Sequence, residues 1–289
     1  MEKRVFVSSA QNRSLGERRR LLKAAVLAKI GQAGYAPQEF LQSGIPQDRG
    51  WSWSLENFDR VIRKCVGAVV FGFPKWTVPG PPLHAAGNHY EGGVLLTLGL
   101  PVLLIIEQGV ENRGVGWTGG GKVITFVPEN ADPSWVTSDD FTKPFEAWLR
   151  ELDARKDVFL GYRSKSVDTA RLIKRQLTDC GATVLDWADF PPGGTILDQI
   201  EKARAECSCG VFLFSEDDLL EGGAAPRDNV VFEAGYFMSS KGSERCLIVR
   251  HGEAKMPVDF GGVIYVHLAK TDDVAPIKER LDDFLTKNV

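Results

Sequence analysis

The sequence predicts an α/β protein with two tandem domains, each a parallel sheet covered by helices on both faces. Short β-branched or aromatic runs alternate with segments of helical periodicity along the whole chain, which is typical of parallel sheets with crossover helices. The 289 residues are also about twice the length of an ordinary domain, and each half contains the complete alternation once. We therefore expect domains at residues 1–152 and 153–289, joined almost without a linker.

The first half begins with a strand at 4–9 that ends in two serine hydroxyls, Ser8 and Ser9. A helix at 14–31 follows, with Ser14 and Glu17 in capping-box register. The other predicted strands of this half are 66–73, 101–106 and 122–127, and its other predicted helices are 55–64, 88–98 and 141–152.

The second half repeats this plan. Its predicted strands are 157–161, 183–186, 210–215, 246–250 and 263–268, and its predicted helices are 167–180, 195–206, 228–240 and 274–286. Thr195 and Asp198 form a capping-box pattern at the start of the second helix. The repetition indicates an internal duplication of architecture, with two flavodoxin-like domains.

Composition limits the functions to consider. The net charge of −3 gives no indication of a nucleic-acid partner, and no apolar run approaches the roughly 20 residues that span a bilayer. The five scattered cysteines are not a disulfide framework, so we expect a reducing, cytoplasmic setting. Cys207 and Cys209 are interpreted as small residues entering a strand, and no metal site is predicted.

The most informative stretch is 226–237, PRDNVVFEAGYF. It follows a buried strand and the Asp217-Asp218 pair, and its helix starts with Asp228 or Asn229 as the N-cap. Glu233 then falls at the border of the apolar stripe, partly exposed, and points into a cleft at the carboxyl ends of the strands. The alternative is that Glu233 only complements the positive end of the helix dipole.

The first half has a comparable position. The loop after its third strand leads to a helix start with Asn88 and Glu91, although the spacing from the asparagine differs by one residue from that in the second half. Asn88 and Glu91 are therefore candidates for a second site.

Residues 157–270 resemble the TIR-like domain of bacterial anti-phage effectors, the class associated with cyclic-nucleotide signalling systems such as CBASS and Pycsar. Four motifs carry the resemblance, in the expected order: DVFLGYRSK, PPGGTILDQIEKA, VFLFSEDD followed by RDNVVFEAGYF, and PVDFGGVIYV. In one respect the sequence departs from the family, since the first strand usually ends in a His-Gly pair and here reads Gly161-Tyr162-Arg163.

The resemblance implies an NAD glycohydrolase with Glu233 as its catalytic residue, NAD as substrate, and neither a cofactor nor a metal. One carboxylate can suffice for this reaction. Nicotinamide leaves as a neutral molecule from a cationic precursor, so the enzyme mainly has to stabilise an oxocarbenium-like transition state.

The candidate substrate-binding residues surround this position: Tyr162, Arg163, Trp187, Asp217, Asp218, Arg227 and Asn229. Tyr162 and Trp187 could stack on the bases, while Arg227 and Asn229 could hold the diphosphate or a ribose beside the helix N-terminus. The alternatives are that Trp187 packs beneath a loop, that Arg227 pairs with Asp228, and that the two aspartates form a solvated turn.

The resemblance also implies regulation. The loop at 191–194 matches the position that is remodelled in TIR domains when subunits stack, so we expect a homo-oligomer in the active state and a cyclic nucleotide or another nucleotide as activator.

The first half weakly resembles a second TIR-like or nucleoside 2-deoxyribosyltransferase-like domain. It is interpreted as a nucleotide sensor, because family members usually join the effector to a sensing domain. The alternatives are a nucleoside or nucleotide N-glycosidase or a deoxyribosyltransferase centred on Glu91, a docking module, and a non-enzymatic nucleotide-binding protein.

Overall fold

The computed structural model describes residues 2–40, 54–119, 122–191, 193–221, 223–260, 265–269 and 273–289. The chain divides into two compact units, Glu2–Ala154 and Arg155–Val289. The division falls two residues after the predicted boundary, because the last helix of the first unit continues to Ala154.

The N-terminal domain contains a five-stranded parallel sheet and a small antiparallel hairpin. The sheet strands are β1 (Arg4–Ser8), β2 (Ala36–Glu39), β3 (Cys65–Gly72), β6 (Val102–Glu107) and β7 (Val123–Val127), in the order β2-β1-β3-β6-β7. The hairpin is β4 (Pro74–Trp76) with β5 (Leu83–His84). The helices are α1 (Glu17–Gln32), α2 (Leu55–Ile62), α3 (Ala86–Thr97) and α4 (Asp139–Ala154).

The capping-box prediction for this domain was wrong, and strand β2 and the β4–β5 hairpin were missed. Helix α1 begins at Glu17 with Gly16 as N-cap and no side-chain cap, while the Ser14 hydroxyl donates to the carbonyl of Gln11 instead. Strand β2 was missed because its sequence, APQE, is short, contains proline and lacks apolar alternation, features that a sheet edge tolerates.

The core of the N-terminal domain lies on both faces of its sheet. Every residue of β3 and β6 is buried, as expected for central parallel strands covered on both sides. One face packs against α1 and α4 and the other against α2 and α3.

The C-terminal domain has the same architecture. Its sheet strands are β8 (Lys156–Gly161), β9 (Val184–Asp186), β10 (Cys207–Phe214), β13 (Cys246–His251) and β14 (Tyr265–Leu268), all parallel, in the order β14-β13-β10-β8-β9. The hairpin is β11 (Asp218–Leu220) with β12 (Gly223–Ala225). The helices are α5 (Val167–Asp179), α6 (Ile196–Glu206), α7 (Asp228–Lys241) and α8 (Lys278–Asn288).

Most C-terminal elements agree with their predicted bounds within a few residues. Strand β10 begins three residues early, at Cys207, so Cys207 and Cys209 lie buried inside the strand. Thr195 and Asp198 form the predicted capping box. Residues 263–264 of the predicted last strand lie outside the described residues.

Numbered within its own domain, each sheet has the strand order 2-1-3-4-5, and in each the third strand leads through an antiparallel hairpin to a helix. The predicted fold class is thereby confirmed. Among the described residues, no helix combines the length and the apolar character that a membrane span requires.

Candidate active site

Helix α7 starts at the carboxyl edge of the sheet, directly after the β11–β12 hairpin. Its N-cap is Arg227, one residue before Asp228 and two before Asn229, the two predicted N-caps, and Arg227 makes no side-chain cap. The Asp217 carboxylate accepts a hydrogen bond from the Arg227 backbone N–H at 3.1 Å. Asp217 therefore fixes the start of the helix to the end of β10.

Glu233 is buried on the sheet-facing side of α7, with 3% of its surface exposed. The prediction of a partly exposed carboxylate facing a cleft was wrong in this respect. Burial raises the pKa of Glu233 to about 8, and the nearby Trp187 side chain opposes the rise. The neutral acid is therefore the main form of Glu233 at neutral pH.

The space for this carboxylate exists because residue 161 has no side chain. A Cβ at Gly161 would lie 3.0 Å from Oε2 of Glu233 and 2.6 Å from Cδ1 of Phe212. Oε2 is itself buried and has no hydrogen-bond partner among the described residues. One carboxylate oxygen is thus enclosed by apolar surface at the end of β8.

Trp187 lies on the same face of the sheet as Glu233, half-buried. Its ring meets Phe159 edge-on at 5.7 Å between centroids and Phe190 at 5.4 Å. Trp187 thus packs against the aromatic core on the face of the sheet that also carries Glu233.

Tyr162 lies elsewhere. It packs against the core on the opposite face of the sheet, where burial and the negative charge of Asp186 raise its pKa. Successive side chains of a strand point to opposite faces, so Gly161 and Tyr162 cannot both face Glu233. The structure does not place Tyr162 beside Trp187.

Four predicted substrate-binding residues form one charged network with each other. Arg163 donates to the backbone carbonyl of Asp217 at 2.7 Å and to the Asp218 carboxylate at 3.3 Å. Arg227 pairs with the other oxygen of Asp218 at 3.2 Å, not with Asp228 as one alternative had it. Asn229 is exposed in the first turn of α7. The network ties the loop after β8 to the hairpin that precedes α7.

The predicted regulatory loop at 191–194 is described only in part, since Pro192 lies outside the described residues. Gly193 and Gly194 have φ values of 102° and 79°, a conformation that favours glycine at both positions.

Glu91 and Glu233 occupy the same position in their helices. Each is the sixth residue of the helix that follows the hairpin, and in both helices the third, seventh and tenth residues are buried. The one-residue difference in spacing from the asparagines arises because Asn88 is the third residue of α3 whereas Asn229 is the second of α7. The duplication thus extends to the placement of one carboxylate.

The surroundings of the two carboxylates differ. Ser8 ends β1 and pairs with Val70 of β3, as Gly161 ends β8 and pairs with Phe212 of β10. The Ser8 hydroxyl accepts a hydrogen bond from Asn88 at 2.9 Å, so side chains occupy the space that stays open at Gly161. Glu91 is accordingly only half-buried.

Two histidines flank the start of α3. Their rings lie 4.1 Å apart, and the pKa of His84 is lowered to about 4 by burial and by the neighbouring His89. His89 accepts a hydrogen bond from the Val115 backbone through Nδ1 at 3.2 Å. Across the described ranges, no group of three or more His, Cys, Asp or Glu residues is arranged to hold a metal ion.

The sequence interpretation missed the role of Gly161 as the wall of the Glu233 site. A signal was present, because a glycine inside or at the end of a buried strand marks a close approach of another group. The sequence could not show which group approaches it.

The C-terminal unit is thus a flavodoxin-like parallel sheet of order 2-1-3-4-5, with an acidic residue on the helix after the third strand. Residues 157–270 match the family model described as "CAP12/Pycsar effector protein, TIR domain". The C-terminal domain is thus similar, over these residues, to the TIR domain of CAP12/Pycsar effector proteins.

Individual relatives match over the same part of the chain. "CD-NTase-associated protein 12" of Niabella drilacis is 28% identical over 133 residues, which is 43% of each chain. "Pycsar effector protein BcPycTIR" of Burkholderia cepacia is 31% identical over 129 residues, 41% of this chain and 43% of the relative. Each match thus spans less than half of the relative's own length.

Proposed function

We propose that the C-terminal domain hydrolyses the bond between nicotinamide and ribose in NAD, as the output of a nucleotide-activated anti-phage effector. The observation that supports this most directly is the Glu233 carboxylate, held beside Gly161 at the carboxyl edge of a TIR-like sheet. Ligands of open α/β sheets bind at this edge.

The proposed reaction converts NAD⁺ and water into nicotinamide, ADP-ribose and a proton. The C–N bond breaks with its electron pair moving to nicotinamide, which leaves positive charge on the ribose. Ionised Glu233 stabilises this charge in a site of low dielectric, where a fixed carboxylate acts strongly. The cationic substrate in turn favours the ionised form of Glu233, so NAD binding should release a proton.

The burial of Glu233 also supports the proposal that this conformation is the inactive, resting state of the enzyme. Its Oε2 atom is enclosed in this conformation, so NAD reaches the carboxylate only after the surrounding side chains move. Such a movement is expected on activation. We propose that a cyclic nucleotide or another nucleotide triggers it through the N-terminal domain, and that the active form is a homo-oligomer in the cytoplasm.

The experiment is release of nicotinamide from NAD by the purified full chain, measured by chromatography, alone and with a panel of cyclic nucleotides. Assembly is followed by light scattering in the same samples. We expect release by the wild type under assembling conditions, at least 100-fold less by Glu233→Gln, and unchanged release by Glu91→Gln. An assembled wild type without turnover would contradict the proposal.

A second candidate function is supported by the shared helical position of Glu91 and Glu233. In this alternative the N-terminal domain is a nucleoside or nucleotide N-glycosidase, or a deoxyribosyltransferase, with Glu91 as the acting carboxylate. Release of a free base from a nucleoside panel, lost in Glu91→Gln but retained in Glu233→Gln, would favour it. Tight nucleotide binding without turnover would instead indicate a binding module.

A further inference from the structure

The N-terminal domain contains a buried histidine that the described residues leave without a hydrogen bond. His84 ends β5 and is 2% exposed, and both of its ring nitrogens are enclosed without a partner in the described part of the chain. A neutral imidazole has one donor and one acceptor to satisfy, and leaving either buried and unpaired costs stability. His84 therefore indicates a site that a ligand would complete.

A small space lies in front of this ring because residue 116 has no side chain. A Cβ at Gly116 would lie 3.5 Å from Nε2 of His84, 3.7 Å from Oδ1 of Asn112 and 3.4 Å from Cδ1 of Ile106. These are ordinary van der Waals distances, so one further atom fits between the two polar side chains. Asn112 is exposed, and rotation of its amide can present the NH2 group to this space.

His89 lies beside His84, with 4.1 Å between the ring centroids. Its Nδ1 accepts a hydrogen bond from the backbone N–H of Val115 at 3.2 Å, in the 3-10 turn Gly114–Gly116. The neutral ring therefore carries its proton on Nε2, which is a donor. The same short turn thus contacts both histidines.

Helix α3 begins directly after His84. Its N-cap is Ala85, whose methyl group cannot accept a hydrogen bond, and its first turn, 86–89, contains no acidic residue. Backbone N–H groups at such a helix start attract anions. The hydrogen bond between Asn88 and Ser8 places this helix start at the end of β1, beside β3, where the strand order reverses and open α/β sheets bind their ligands.

Electrostatics at the two histidines also favours an anion. Burial lowers the pKa of both, to about 4 for His84, where His89 adds to the effect and the nearby Arg113 backbone opposes part of it. The positive charge of Arg113 lowers both pKa values further. The other described ionisable groups on the elements that pack here shift neither pKa: Lys75 on β4, Tyr90 and Glu91 on α3, Glu107 on β6, and Glu111 before the turn. A bound anion would raise both pKa values and be taken up together with a proton.

We infer that these residues form a binding site for the phosphate group of a nucleotide. The histidine site, as we call it, consists of His84, His89, Asn112, Arg113 and Gly116. One phosphate oxygen enters the space at Gly116 and accepts a hydrogen bond from Nε2 of His84, while Arg113 and the start of α3 balance the negative charge. The role of this site in activation rests on the proposed function, but the binding itself does not, and it can be tested without NAD.

The test uses the imidazole signals of the full chain in proton and carbon-13 NMR. The chain has four histidines, so His251 and His267 of the C-terminal domain are internal controls, and the His84 signal is the one missing from His84→Phe. The probes are inorganic phosphate, adenosine 5′-monophosphate, adenosine 3′,5′-cyclic monophosphate and adenosine. We expect the three phosphate-bearing probes, but not adenosine, to shift the His84 and His89 signals saturably. Because binding takes up a proton, it should be tighter at about pH 6 than at about pH 8.

A matched pair of variants separates the site from general effects on the fold. Gly116→Ala fills the space in front of His84 and changes no charge, whereas Gly93→Ala, on the same domain, would meet nothing within 4 Å. We expect Gly116→Ala to weaken the binding of phosphate about tenfold or more, the effect of losing a hydrogen bond to a charged group, and Gly93→Ala to change it less than about twofold. His84→Phe should also lose the binding but unfold at an unchanged or higher temperature, because it removes two buried nitrogens without partners.

Three results would overturn the inference, whether or not NAD is cleaved. They are unchanged His84 and His89 signals with every phosphate-bearing probe, binding that persists in Gly116→Ala, and adenosine that binds as well as its phosphates. Binding of inorganic phosphate but of neither nucleotide would overturn the assignment to a nucleotide. A protein that binds nucleotides at this site but never cleaves NAD would support the inference and count against the proposed function, so the two failures are distinguishable.

Discussion

Among the described carboxylates of the C-terminal domain, the buried Glu233 has the most strongly shifted pKa. Replacing Glu233 with glutamine removes this ionisable group. Glutamine keeps the shape of the neutral acid but cannot ionise. The pKa of Glu233 is raised by burial from 4.5 to about 8, so the folded protein keeps a proton that the unfolded chain releases. The stability that the neutral acid provides is complete below pH 4.5 and is lost as the pH rises toward 8.

The size of this loss follows from the pKa difference. Each unit corresponds to about 1.4 kcal/mol, so wild-type stability should fall relative to Glu233→Gln by about 3 kcal/mol between pH 4.5 and pH 7, and by about 5 kcal/mol at pH 9. The stability difference should become constant about one pH unit above this pKa of about 8, where both folded and unfolded wild type are ionised.

The assay is denaturant unfolding with hydrogen exchange detected by mass spectrometry, which follows each domain separately. Peptides from β10 report the C-terminal domain, and peptides from β3 provide an internal control that should not respond. Glu279→Gln, at an exposed position on α8, is the matched control variant. Parallel pH profiles for wild type and Glu233→Gln would refute the reasoning, because the carboxylate would then ionise as easily in the fold as in water.

Three further predictions concern the same region. If Glu233 acts as a carboxylate, kcat/KM for NAD should rise about tenfold per pH unit below its pKa of about 8 and level off above it; a flat profile between pH 6 and 9 would contradict this. Gly161→Ala places a Cβ 2.6 Å from the Phe212 ring. It should lower the free energy of unfolding in urea by about 1 to 3 kcal/mol and abolish most of the NAD cleavage. Full activity would show that the site does not require a glycine at position 161. Arg163→Met should destabilise the C-terminal domain by about 1.5 to 3 kcal/mol, because it removes the donor to the Asp217 carbonyl. Arg227→Met, at an exposed position, should cost under about 1 kcal/mol. Equal effects of the two variants in calorimetry would argue against the network.

The fold could be predicted from the sequence because the patterns that indicate its strands and helices are local. The buried runs at β3, β6 and β10, and the capping box at Thr195, depend on residues close to each other in the chain. Strand β2 and the two hairpins were missed, since short segments stabilised by a neighbouring edge or loop have little periodicity of their own.

The candidate site was predictable in part. The position of Glu233 at the start of a helix after the third strand could be read from periodicity, and its family role from the motifs. Its surroundings could not, because Gly161 is separated from Glu233 by 72 positions and meets it only through the sheet. The predicted binding residues Arg163, Asp217, Asp218 and Arg227 likewise proved to contact each other, a pairing that sequence order does not reveal.

The sequence by itself determined two parallel α/β domains and one acidic side chain near the start of the helix after the third strand in each. The tertiary structure decided which of the two carboxylates is enclosed. Gly161 leaves room for Glu233, whereas Ser8 and Asn88 fill the corresponding space near Glu91. The physical reason is that ionisation depends on the solvation and packing around a group, which the folded chain sets and the linear order of residues does not.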